Sequence, residues 1–125
     1  MPNSSEVVEL INRIGAAKRK AVEALEAAID EIERQIANTG EGPARDKLLD
    51  QARALSAKVG EITEAANDEI LRLPEVARAV GRLESAADEM KAVADEMRAV
   101  TDKIANGAKV LGLGTEFVEI FAQAG

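Results

Sequence analysis

Ala87-Asp88-Glu89-Met90-Lys91-Ala92-Val93 is followed at once by Ala94-Asp95-Glu96-Met97-Arg98-Ala99-Val100, one seven-residue pattern written twice. Small or apolar residues recur at Ala87, Met90, Ala94 and Met97, three and four positions apart, with the acids between them. That spacing puts one stripe along a helix and asks for another helix to cover it. The stripe extends back to Val76 and Val80 and forward through Thr101, Ile104, Ala108 and Leu111. A seam of this kind holds helices together and carries no reaction chemistry.

The rest of the chain agrees. A second stripe, Val7, Ile11, Ile14, Ala21, Leu25, Ala28 and Ile32, predicts helix 1 over about residues 5–37, with Asn3 and Glu6 at capping-box spacing. Val8, Val22, Ile29 and Ile36 widen it, so more than one neighbouring helix is expected. Asn38-Thr39-Gly40-Glu41-Gly42-Pro43 reads as a loop over 38–43, with Pro43 suited to a first helical turn. Leu48, Ala52, Leu55, Val59, Ile62, Ala66 and Leu73 then predict helix 2 over about 44–73.

Charge suggests how helices 1 and 2 pair. Arg13, Lys18, Arg19 and Lys20 precede Glu23, Glu26, Asp30, Glu31 and Glu33 in helix 1, and helix 2 also runs from basic to acidic. An antiparallel hairpin sets each basic half against an acidic one. Lys18 and Glu69 interrupt their stripes, and counting back from the loop brings them within a turn of each other, so they are expected to form a buried polar pair.

Pro74 interrupts the pattern, since proline lacks an amide hydrogen and disfavours helix at the residue before it. A reversal there gives an all-α antiparallel three-helix bundle, with helix 3 over about 74–106 and a short helical tail segment over 107–125. A kink instead gives a helical hairpin with one long bent helix, dimeric to cover its seam. The bundle is the expected fold, a single helical domain spanning residues 1–125, because a 125-residue monomer cannot bury such wide stripes on an extended rod.

Composition narrows function. With a net charge of −7 the chain has no excess of basic side chains to displace counterions from nucleic acid. There is no Cys and no His, hence no thiol, no zinc ligand set of the usual kind and no base that titrates near neutrality. Asp88, Asp95 and Asp102 repeat along a straight helix and read as a solvated face rather than a calcium loop. Gly112-Leu113-Gly114-Thr115 lacks the lysine of a phosphate-binding loop. No cofactor, metal or small-molecule substrate is expected, and no enzyme activity. The N-terminus shows no leader pattern and no apolar run reaches the roughly 18 residues of a membrane span, so a cytoplasmic location is expected.

Both phenylalanines lie in the tail. Leu111, Leu113, Phe117, Ile120 and Phe121 are the candidate contact residues. They either plug the bundle or dock a protein partner or a second copy. The expected function is a non-catalytic helical scaffold, adaptor or oligomerisation protein. The alternative is a lipid- or membrane-associating amphipathic bundle, in which Phe117 and Phe121 would be the anchors.

Overall fold

The computed structural model describes residues 4–68, 79–100 and 103–124. Those residues form an all-helical bundle of four helices with no strand: α1 (Ser4–Ala37), α2 (Pro43–Asp68), α3 (Val80–Glu96) and α4 (Lys103–Ala124).

The first corner is built as its sequence implies. The last turn of α1 tightens, with the amides of Asn38 and Thr39 donating to the carbonyls of Gln35 and Ile36. Their side chains add to this, Asn38 Nδ2 donating to Arg34 O at 3.0 Å and Thr39 Oγ1 giving Gln35 O a second donor at 2.6 Å. Gly42 sits at φ +147°, where a side chain would be strained, and its carbonyl accepts the Asp46 amide. Pro43 follows as the first helical residue, where a missing amide hydrogen costs nothing.

The directions of the helices follow from who meets whom. The short connection after Ala37 makes α1 and α2 an antiparallel hairpin in contact along its length. Arg13 meets Glu84, Lys20 meets Asp88 and Glu31 meets Lys103, so α3 runs parallel to α1. Gln51 reaches Ile104 and Lys58 lies against Gly114, so α4 runs parallel to α2. Two hairpins therefore stack with like directions side by side. α1 packs against all three other helices, whereas α2 and α3 occupy opposite corners.

The reversal between α2 and α3 is thereby established, and a single kinked helix is not. Pro74, Leu73 and Glu69 themselves lie outside the described residues. The sequence led to one helix across 74–106; instead α3 ends at Glu96 and a full fourth helix starts at Lys103, absorbing the expected tail segment. The start of α4 at Lys103 is held by contacts to α1, described below.

The core is where the stripes predict. Ile14, Ala21, Leu25, Ala28 and Ile32 of α1 meet Leu48, Leu55 and Ile62 of α2, Leu83, Ala87, Met90 and Ala94 of α3, and Val110, Phe117 and Phe121 of α4. Val22, Ile29 and Ile36 are half-buried against this core, as a wide stripe with several neighbours requires. The start of α1 departs from the pattern. Val8 is 56% exposed and Ile11 38%.

Candidate interaction surfaces

The five residues expected to make C-terminal contacts divide into two groups. Phe117, Ile120 and Phe121 are buried, and the two rings meet edge-on at 5.4 Å and 69°. Leu111 and Leu113 are half-buried against the core. The three largest apolar side chains of α4 are thus interior, not a free docking face. Their helical spacing matches the cavity left by α1, α2 and α3, and burying each ring removes 150–250 Å² or so from water. The same burial leaves neither phenylalanine available as a lipid anchor. Lys18 is half-buried, and its expected partner Glu69 falls outside the described residues.

The basic first half of α1 meets α3. Arg13 Nε and Nη2 donate to Glu84 at 3.1 and 2.5 Å, and Lys20 Nζ donates to Asp88 at 2.5 Å. The hydrogen bond from Arg13 holds the Glu84 carboxyl below its ordinary range, and the same contact raises the Arg13 guanidinium further. Beyond Lys20, toward Lys91 and Asp95, alanines of α1 and α3 face each other. Their small side chains leave a shallow groove of about 370 Å³, lined by Ala16, Ala24, Ala27 and Ala94 with Arg19 and Glu23 at the rim. Cations and anions alternate there, so the groove favours no single sign of ligand.

Sequence reasoning missed the polar cluster at the opposite end. Glu31 is buried. Arg34 Nη1 donates to it at 2.8 Å, and Lys103 Nζ lies 3.5 Å from its other oxygen. Lys103 is also mostly buried; its ammonium donates to Met97 O at 2.5 Å and its amide donates to Gln35 Oε1 at 3.0 Å. Two side chains of α1 therefore hold the first residue of α4, and that residue bonds the carbonyl of Met97, the residue that caps α3. Nothing in the local sequence marks Glu31 among the neighbouring acids. The signal exists only once Lys103 is placed beside it.

A second polar contact joins α2 to α4. Gln51 Nε2 donates to Ile104 O at 2.9 Å, while Gln51 Oε1 is buried with no partner among the described residues. Gly107 makes room for it, since a Cβ there would lie 2.7 Å from Gln51 Cδ.

These features define a helical bundle whose polar groups lie at helix junctions and whose interior is apolar. Among the described residues no helix is long and apolar enough to cross a membrane. Comparison of the chain with family models, curated proteins and solved structures finds no match.

Proposed function

We propose that this chain is a non-catalytic helical interaction module, a small scaffold or adaptor that works through helix-to-helix contact. The observation that carries the reading is the start of α1. Val8 and Ile11 are exposed, whereas the other large apolar side chains among the described residues turn inward or are half-buried. Val7 and Leu10 stand half-buried beside them. Apolar side chains in helical succession on a surface are the usual means of receiving another helix. An interior filled by Ala, Leu, Ile, Met and Phe, in a chain without His or Cys, supports a structural rather than a chemical role.

The test is the pair Val8→Asp and Ile11→Asp in the full chain. Val8 is more than half exposed, so Val8→Asp should move unfolding by less than about 0.5 kcal/mol, and Ile11→Asp, at a side chain 38% exposed, by about 1 kcal/mol. Binding to a partner, or self-association measured by sedimentation, should fall. Unchanged association with unchanged stability would refute the assignment of this surface. Flotation of the wild-type chain with anionic liposomes would favour lipid association over protein contact.

A further inference from the structure

Asn106-Gly107 is the only Asn-Gly pair in the chain. Such pairs are usual in tight turns, where glycine takes positive φ. Here the pair lies inside α4, which begins at Lys103, and among the described residues Gly42 alone has positive φ. Gly107 is needed for another reason. A Cβ there would lie 2.7 Å from Gln51 Cδ. Both residues of the pair are buried, Asn106 with 9% of its surface exposed.

An asparagine followed by glycine carries its own reactivity. Once solvent base has removed its proton, the Gly107 amide nitrogen can attack Asn106 Cγ. The new N–Cγ bond forms, the Cγ–Nδ2 bond breaks, and the side-chain nitrogen leaves as ammonia, which takes up the equivalent proton. Water then opens the cyclic imide at one carbonyl or the other, leaving aspartate or isoaspartate at position 106. Water is the only co-reactant. Glycine hinders this attack least, because no Cβ stands beside the attacking nitrogen. The packing of Gln51 that demands glycine at 107 therefore also fixes the most reactive neighbour for Asn106.

The folded chain blocks the step. In a helix the Gly107 amide donates to the carbonyl four residues back, that of Lys103, so its proton is held. Helical ψ at Asn106 also keeps Cγ away from the nitrogen that must reach it. Gln51 lies over Gly107 and donates to Ile104 O at 2.9 Å. This protection lasts only while the first turn of α4 stays closed. That turn is held from α1, where Gln35 Oε1 accepts the Lys103 amide and Glu31 faces the Lys103 ammonium. Opening one turn exposes much less than unfolding the bundle, so it is the easier route to the reactive geometry.

We propose that Asn106-Gly107 is a site of spontaneous covalent modification, closed while the first turn of α4 is docked and converted irreversibly when that turn opens. Isoaspartate lengthens the main chain by a methylene, which the helical repeat does not accommodate, so the turn does not reclose. Aspartate leaves the main chain unaltered, and a negative charge near a helix N-terminus is favoured. The site thus accumulates a record of how often α4 has been open at its start. The inference goes beyond the proposed function and makes no use of the Val8 and Ile11 surface.

The test is incubation of the full chain at mildly alkaline pH, with isoaspartate at position 106 followed by peptide mapping. The urea-unfolded chain supplies the reference rate. The native rate is that rate multiplied by the fraction of time the turn is open, so folded wild type should convert at least about tenfold more slowly. Glu31→Gln loosens the first turn directly and should accelerate conversion. Phe117→Ala weakens the bundle farther along α4 and is the control. With both variants brought by urea to the same unfolding free energy, Glu31→Gln should convert faster. If Glu31→Gln does not fold, Lys103→Met takes its place. The isoaspartate fraction, purified by ion exchange, should unfold at lower urea than either the parent chain or Asn106→Asp. Equal rates in folded and unfolded wild type overturn the proposal. So do equal rates in Glu31→Gln and Phe117→Ala at matched stability, and an isoaspartate fraction as stable as the parent.

Discussion

Replacing Lys103 by Met and Glu31 by Gln, singly and together, tests whether α1 enforces the start of α4. The Glu31 side chain is 5% exposed and that of Lys103 13%, whereas Arg34 is 71% exposed. The two losses are therefore unequal. When Lys103 goes, Glu31 keeps Arg34 at 2.8 Å. Met retains most of the apolar stem, so the loss is mainly that of charged hydrogen bonding, about 2 kcal/mol. When Glu31 becomes Gln, Arg34 swings into water cheaply, but the Lys103 ammonium stays buried among neutral acceptors, Met97 O and the Gln amide oxygen, with no compensating charge. Removing one member of a buried pair costs about 3–5 kcal/mol, and the remaining carbonyl places this case near 3. The double variant buries no charge at the junction and should cost no more than Glu31→Gln alone, giving a coupling of about 2 kcal/mol or more. Urea unfolding followed by far-UV circular dichroism resolves this, since 3 kcal/mol moves the midpoint by about 1 M or more. Singles within about 0.5 kcal/mol of wild type, or an additive double, would refute the reasoning.

Three further outcomes follow from the same geometry. Phe117→Ala should cost about 3–5 kcal/mol in the same assay, because the ring is fully buried against Phe121; a loss under about 0.5 would mean the ring is a surface side chain after all. Gly107→Ala should destabilise by about 1–3 kcal/mol and be rescued by Gln51→Ala, whereas Gly60→Ala and Gly112→Ala meet open space and should each stabilise by up to about 1 kcal/mol. Glu84→Gln should narrow its gap to wild type under acid. A carboxyl held below its ordinary range contributes stability that is present above the unfolded pKa and is lost as pH falls through the folded one, so urea midpoints at neutral pH should differ and those at strongly acidic pH should converge. A gap that persists in acid would assign the effect to packing.

Much of this fold was legible because its determinants are local. The loop at 38–43 carries its own turn chemistry, and the stripes in α1 and α2 specify faces whatever their partners. Other features depend on pairings that no local pattern records. Arg13 and Lys20 read as partners for acids on α2, yet they meet Glu84 and Asp88 because the second hairpin lays α3 along α1 in the same direction. Phe117 and Phe121 could be core or docking residues by spacing alone. Only the cavity offered by three other helices decides between them.

The break after Glu96 is the sharpest instance. A heptad that continues without Gly or Pro predicts an unbroken helix, and locally that prediction is sound, since the backbone stays helical at Met97. Gln35 and Glu31, more than sixty residues upstream, receive Lys103 where α4 begins, and Thr101 and Asp102 before it lie outside the described residues. A turn encoded in its own residues persists whether or not the chain is packed. One imposed from a distance lasts only while the imposing contacts do. By that distinction amide exchange should be slowed through Asn38–Asp46 only by the local corner. At Lys103 and Ile104 it should quicken when Glu31 is replaced and the α4 junction is loosened. Equal protection there in the Glu31→Gln chain and the wild type would show that the start of α4 does not depend on Glu31.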